Sequence, residues 1–239
     1  MDVWDKVVIV TGASSGIGAA TARAASHAGA RVVLAARNRE RLEALASEMT
    51  DAVVVPTDMR KPDDIRHLID TATERCGRVD ILVNNAGQGL HVPVEQIRLD
   101  DLVAITELNV YGALLAMQAV IPVMRSTGGG CVINVSSGTT RLGAPIGTGG
   151  YSATKAALNM LSRTARAELA DDGIVVSTVY PFVTATEFHD TLRAGAISTA
   201  GRRFEPDTAE HVADAILDLI RTGDEEAVLV PPHLRGNVT

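Results

Sequence analysis

Seven short runs rich in β-branched residues recur along this chain of 239 residues: 7–10 (VVIV), 31–35 (RVVLA), 52–56 (AVVVP), 80–84 (DILVN), 131–136 (CVINVS), 174–180 (IVVSTVY) and 227–230 (AVLV). Longer Ala/Leu/Arg stretches with helical periodicity fill the gaps. Strands this apolar are covered on both faces, and helical crossovers between parallel neighbours provide that cover. The pattern predicts one α/β domain over residues 1–239, a Rossmann-type doubly wound parallel sheet of seven strands with helices on both faces. A chain of this length buries about 70–75% of its unfolded surface without staples. Helix punctuation agrees: Pro62 with Asp63 and Asp64 opens one helix, and Gly29 and Gly173 each follow the end of another. Residues 187–207 are less regular, with Gly195, Gly201, Arg202, Arg203 and Pro206, and read as a substrate-side insert before the last helix.

Charge narrows the partners. With 22 basic against 29 acidic residues the formal charge is −7, which argues against a nucleic-acid or anionic-membrane surface. No run of 18 apolar residues and no secretory leader is present, so the cytoplasm is the expected compartment. The two cysteines, Cys76 and Cys131, imply no disulfide framework. Six scattered histidines carry no H-E-x-x-H or Cys/His spacing, so no metal is expected.

The first run leads directly into TGASSGIG at 11–18 and then into AATARAASHAGA: strand, glycine turn, helix. That order suits a dinucleotide. Gly12 permits a tight turn, Gly16 and Gly18 let backbone approach a pyrophosphate, and the helix N-terminus offers free N–H groups. Ser14 and Ser15 add hydroxyls, with Ile17 between the glycines. A carboxylate for a ribose 2′-hydroxyl belongs about twenty residues on, but the second run ends Leu34-Ala35-Ala36-Arg37. Arg37 instead suits a 2′-phosphate, which favours NADP(H) over NAD(H), while Arg39 and Arg41 read as a solvated helix start.

Tyr151 and Lys155 stand one helical turn apart in YSATK, on one face. An ammonium about 6 Å from a phenol, at an effective dielectric of about 20, favours the phenolate by roughly 3 kcal/mol, which would draw the tyrosine pKa toward neutrality. Only three of the 22 basic residues are lysines, Lys6, Lys61 and Lys155, so Lys155 is not readily surface filler. Asn109 lies in a helical stretch where asparagine is a poor fit.

From Lys6 to about Thr186 these motifs, in register, resemble the short-chain dehydrogenase/reductase family: TGASSGIG, Asp58 after the third strand, NNAG at 84–87, Asn109 in ELNVYG, Ser137 in NVSS, YSATK, and Pro181 with Thr186. The resemblance implies reversible hydride transfer between NADP(H) and a carbonyl or secondary alcohol. Tyr151 is the implied acid/base, Ser137 holds the reacting oxygen, Lys155 tunes the phenol and binds ribose, and Asn109 carries a proton relay through water. Asp58 and Met59, Asn85, Ala86 and Gly87 are implied on the adenosine side, with Asn84 locking neighbouring backbone. Pro181, Val183, Thr184 and Thr186 are implied beside the nicotinamide amide. Ser136 is expected to serve the backbone.

Two departures stand out. The Ser137–Tyr151 loop is one residue longer than the commonest family spacing, and its GTGG at 147–150 is expected to be flexible. Phe182 replaces the family's usual glycine after Pro181, so the local backbone is expected to differ. Pocket candidates are Leu90, His91, Leu142, Ala144, Ile146, Phe182, Phe188 and Leu192, pointing to a modest hydrophobic carbonyl substrate. The alternatives are a non-catalytic NADP(H)-binding redox-sensing regulator, which intact Ser, Tyr and Lys argue against, and an epimerase or dehydratase, which chain length argues against. A homotetramer or homodimer on the helices near 99–125 and 151–170 is also implied.

Overall fold

The computed structural model describes residues 1–141, 143, 145–196 and 206–230. Seven strands, β1 (Val7–Thr11), β2 (Arg31–Ala36), β3 (Ala52–Pro56), β4 (Ile81–Asn84), β5 (Gly130–Val135), β6 (Ile174–Tyr180) and β7 (Glu226–Val228), coincide with the seven apolar runs to within a few residues. They form one all-parallel sheet in the order β3-β2-β1-β4-β5-β6-β7. The helices are α1 (Gly16–His27), α2 (Arg39–Ala46), α3 (Pro62–Cys76), α4 (Leu99–Thr106), α5 (Ala113–Ser126), α6 (Gly149–Glu168) and α7 (Ala209–Thr222).

Each strand's alternation supplies both layers of core. Val8, Val10, Val32, Leu34, Ile81 and Val83 face α1, α2 and α7, while Val7, Ile9, Val33 and Leu82 face α3 and α5. The chain leaves β3 at one edge and returns beside β1 as β4. In sheets of this kind the crevice lies at that reversal, above the carboxyl ends of the strands, and ligands bind there.

α4 and α5 are one helix interrupted at Glu107–Gly112 by a π-helical turn, the kind of irregularity that recurs at functional sites. Asn109, the helical misfit in the sequence, lies inside it. By length and composition Leu99–Ser126 could cross a membrane. Here its Ile105, Ala116, Met117, Val120 and Met124 are buried against the sheet and neighbouring helices, as in a core helix.

The GTGG expectation is corrected. Gly149 and Gly150 already belong to α6, and a Cβ on Gly150 would come within 3.0 Å of Leu90 and 3.2 Å of Ile97. Those glycines serve close packing, and just before the helix the Thr148 hydroxyl donates to Pro145 O at 2.7 Å. Of the 187–207 insert, Glu187–Asp190 forms a short helical turn, and residues 197–205 lie outside the described residues.

Candidate active site

Backbone dominates the glycine turn. Gly12 and Gly16 take φ of 64° and 52°, in the left-handed region. A Cβ on Gly18 would lie 2.3 Å from Gly12 O and 2.5 Å from Asn85 Nδ2. The Asn85 amide donates to Thr11 O (2.9 Å) and Gly12 O (3.3 Å). In return the Thr11 hydroxyl accepts from the N–H groups of Asn85 (3.0 Å) and Ala86 (3.1 Å). Asn85 and Thr11 therefore stitch β4 to the turn. Asn84, expected from the sequence to lock nearby backbone, reaches sideways to Ala113 O (3.2 Å) and Asn134 Oδ1 (3.0 Å).

The start of α1 suits a pyrophosphate. Its N-cap, Ser15, is extended, the Ser15 side chain makes no capping bond, and the first turn holds no acidic residue. The leading N–H groups and the positive end of the helix dipole are left for an anion. Ser14, Ser15 and Ile17 are half-buried on this turn. Thr186 lies over it, since a Cβ on Gly16 would be 3.0 Å from Thr186 Cγ2.

In the first turn of α2, just beyond β2, Arg39 pairs with Glu43 at 3.5 Å and Arg41 with Glu187 at 2.6 Å. Arg37 is exposed and makes no ion pair among the described residues. The Asp58 carboxylate is gripped by Arg60 at 2.9 and 2.6 Å. That guanidinium, then the Arg60 N–H and the charge of Arg37, hold it below the usual carboxylate range against partial burial. Met59 is buried, with its carbonyl pressed so closely on Gly112 that a Cβ there would sit 2.3 Å away.

The chemistry gathers at the start of α6. Tyr151, Lys155 and Ser137 are 8%, 4% and 8% exposed. Lys155 Nζ lies 5.9 Å from the centre of the Tyr151 ring and donates to Val135 O at 2.8 Å. The helical pairing thus stands as the spacing implies, but the expected direction of the phenol's shift does not. Burial pushes Tyr151 up to about 12, with a hydrogen bond from Ser137 pulling the other way. Burial also lowers Lys155 to about 8. Removing water from both groups penalises each charged form.

Asn109 is 1% exposed. Its Oδ1 accepts from Gln88 N (2.9 Å), and its Nδ2 donates to Gln88 O (3.0 Å) and Thr154 Oγ1 (3.0 Å). The side chain is a clamp on the loop after β4. Gly87 fills the gap, where a Cβ would stand 3.3 Å from Asn109 Oδ1 and 3.4 Å from Lys155 Nζ. Ser136 bonds the Asn159 side chain rather than the backbone.

Side chains build the substrate side. The Phe188 ring lies 5.8 Å from that of Tyr151, in a cluster with Leu90 and Ile105. Residues 191–195 form a strap: Arg193 N donates to Gly89 O (2.8 Å), His91 N to Ala194 O (3.1 Å) and Gln88 Nε2 to Thr191 O (2.8 Å). Arg193 also pairs with Asp101 at 2.7 Å. Leu192 presses on Gly89. Phe182 avoids the left-handed region, and its ring lies where a Cβ on Gly138 would be 2.6 Å away. Val183 O accepts from Asp207 N (2.8 Å) and Pro181 O from Gly138 N (2.7 Å). The Thr184 hydroxyl donates to Phe182 O (3.2 Å), while Thr186 Oγ1 accepts from Phe188 N (3.4 Å) and keeps its own proton. Burial, with the charge of His189, holds the His91 imidazole below its ordinary pKa. Ile146 is 99% exposed and lines nothing. Leu142 and Ala144 lie outside the described residues. Phe188 over Tyr151, Thr154 on Asn109 and the Arg193–Asp101 pair join residues far apart in sequence, and although Thr154 stands within YSATK and Phe188 among the pocket candidates, nothing in the sequence pairs them.

Residues 6–196 match the short chain dehydrogenase family. An uncharacterized oxidoreductase of Staphylococcus aureus (strain USA300) is 35% identical over 235 residues, spanning 98% of this chain and 95% of its own. The crystal structure of 3-ketoacyl-(acyl-carrier-protein) reductase from Brucella melitensis complexed with NADH superposes with a TM-score of 0.84 at 28% identity, covering 95% of this chain and 96% of that one. A short-chain dehydrogenase from Streptomyces avermitilis gives a TM-score of 0.84 at 33% identity, covering 95% of this chain and 89% of its own.

Proposed function

The chain belongs to the short-chain dehydrogenase/reductase family of oxidoreductases, and from that premise we propose that it reduces and re-forms a carbonyl/secondary alcohol pair with NADP(H), Tyr151 serving as acid/base. The observation that carries this reading is the joint burial of Ser137, Tyr151 and Lys155 beside the crevice above β1 and β4. The nicotinamide, when bound, supplies or accepts the hydride. The main chain of Gly12–Gly18 and the start of α1 hold its pyrophosphate, and Arg37 takes the 2′-phosphate, being the arginine at that corner not claimed by a carboxylate. Asp58, Met59, Asn85, Ala86 and Gly87 flank the adenosine side, and Pro181, Val183, Thr184 and Thr186 the nicotinamide side.

A phenol held near about 12 is protonated at neutral pH, the state that an acid needs in the reducing direction. Tyr151 keeps that proton at Oη beside the substrate oxygen, Ser137 donates to the same oxygen, and Lys155 brings positive charge to both. Asn109 holds the Gln88 loop close to Lys155, where a water-linked proton path to solvent would run. Phe188 and the strap over Gly89–His91 exclude water and present an apolar wall, which suits a hydrophobic carbonyl compound. Exposed Leu99, Val103, Tyr111 and Met160 on the helices spanning 99–126 and 149–168 supply faces for pairing with further copies. Two free cysteines suit the cytoplasm.

The test is NADPH and NADH consumption with a panel of ketones and aldehydes by wild type, Tyr151→Phe and Arg37→Ala. We expect Tyr151→Phe to lose about a hundredfold or more in kcat with nucleotide affinity retained, and Arg37→Ala to lose about tenfold in NADPH preference. Full turnover by Tyr151→Phe sinks the acid/base role, and an unchanged coenzyme preference in Arg37→Ala sinks the 2′-phosphate assignment.

A further inference from the structure

A serine hydroxyl has one proton to give and two lone pairs to fill, so its role at a reacting oxygen depends on what occupies those lone pairs. Ser137 Oγ is met by two groups of one residue: it accepts from the N–H of Thr139 at 3.3 Å, and the hydroxyl of Thr139 lies within hydrogen-bond distance at 3.0 Å. Among the described residues Ser137 is the one hydrogen-bond partner of the Thr139 hydroxyl.

Thr139 is itself held. Residues Gly138–Thr140 form a single helical turn for which Ser137 is the N-cap. Gly138 N donates to Pro181 O at 2.7 Å, and the Phe182 ring lies against Gly138. The Thr140 hydroxyl donates to Ser137 O at 2.8 Å and accepts from Asn159 Nδ2 at 3.0 Å. Asn159 in turn bonds Ser136 on the strand side. The turn is thus anchored from β5, from α6 and from the segment after β6.

Given this geometry we propose that Thr139 is a positioning residue that makes Ser137 a donor only, its single proton aimed at Tyr151 and the substrate oxygen. The proposal rests on the oxidoreductase reading above and extends it to the direction of one hydrogen bond. That direction matters chemically. A serine that donates leaves the Tyr151 proton free to pass to the carbonyl oxygen and stabilises the charge developing there. A serine turned to accept would hold the phenol's proton for itself. Thr139 removes the second arrangement by filling the acceptor sites, and its methyl-bearing carbon limits its own rotamers.

Thr139→Val keeps the shape and the N–H but removes the hydroxyl, and Thr139→Ser restores it. We expect Thr139→Val to lower kcat about tenfold, with KM for the carbonyl, nucleotide affinity and Tm close to wild type, and Thr139→Ser to recover most of the loss. In the alcohol-oxidising direction the apparent pKa of kcat should move up in Thr139→Val, because Ser137 no longer favours the phenolate. Neutron diffraction of the exchanged wild-type protein provides a readout independent of turnover, with the Thr139 deuteron expected on Ser137 Oγ and the Ser137 deuteron pointing to Tyr151. A Ser137 deuteron on Thr139, wild-type kcat in Thr139→Val, or failure of Thr139→Ser to recover activity overturns the proposal. If wild type turns over no carbonyl at all, the oxidoreductase reading falls and this inference with it, whereas an active wild type with an indifferent Thr139→Val removes this inference alone.

Discussion

Above β1 and β4 the protein presents main-chain groups. Gly12, Gly16 and Gly18 admit no side chain, the start of α1 is left uncapped, and Thr11 and Asn85 bind peptide groups rather than each other's side chains. Across the crevice, residues 182–195 work with side chains: Phe182 against Gly138, Phe188 against Tyr151, Leu192 on Gly89, Arg193 on Asp101. A site made of backbone suits a ligand part common to many enzymes, because its geometry tolerates no variation. A wall made of side chains on irregular segments can change residue by residue and so suits the part that differs, the substrate. Tyr151 and Lys155 stand between the two, on a regular helix but buried by the second region.

The sharpest way to break this contrast is Gly18→Ala. Its methyl would meet Gly12 O at 2.3 Å and Asn85 Nδ2 at 2.5 Å, so we expect about 1–3 kcal/mol of strain. Nucleotide affinity should weaken by roughly tenfold or more, read by calorimetric titration alongside Tm. Unchanged binding would mean that the turn is more yielding than its contacts imply.

Lys155 tests the boundary through pH. Its folded pKa of about 8 lies below the ordinary lysine value. Between that value and about 10.4 the unfolded chain binds more protons than the folded one, and its contribution to stability rises with pH. Tyr151, raised to about 12, acts with the opposite sign above about 10, where unfolded tyrosine ionises first. Urea unfolding from pH 7.5 to 10 should show the rise in wild type and its loss in Lys155→Met. The same slope in both proteins would show that burial does not perturb the amine.

The smallest effect belongs to the strap. Arg193 is 42% exposed, and such a pair contributes on the order of 0.5 kcal/mol. Arg193→Ala should raise KM for the carbonyl about twofold while kcat and nucleotide affinity stay constant. A large fall in nucleotide affinity would show the two regions to be coupled, and the Arg41–Glu187 pair, which joins α2 to the strap's root, would be the first place to look.

The seven strands, the glycine turn and the Tyr151–Lys155 spacing were legible because each depends on local chemistry: β-branched runs, glycine conformational freedom, the pitch of a helix. The misfit of Asn109 in a helix was legible for the same reason, and it lies in the π turn. Its partners Gln88 and Thr154 were not, since they come from two other segments. Phe182 was recognised as a departure, but the answering space over Gly138 appeared only when β5 and β6 lay side by side.

From its amino acids alone this chain was bound to a parallel, doubly wound sheet with a glycine turn after the first strand and a tyrosine one helical turn from a lysine, because those features need only neighbours along the backbone. Folding decided which donor faces which acceptor: that Asn85 rather than Asn84 secures the turn, that Arg60 occupies Asp58, that Thr139 fills Ser137. It also decided the sign of the tyrosine's shift. The nearby ammonium alone would favour the phenolate, but loss of water on burial raises the phenol and outweighs the hydrogen bond from Ser137, and the extent of burial is set by packing from distant segments.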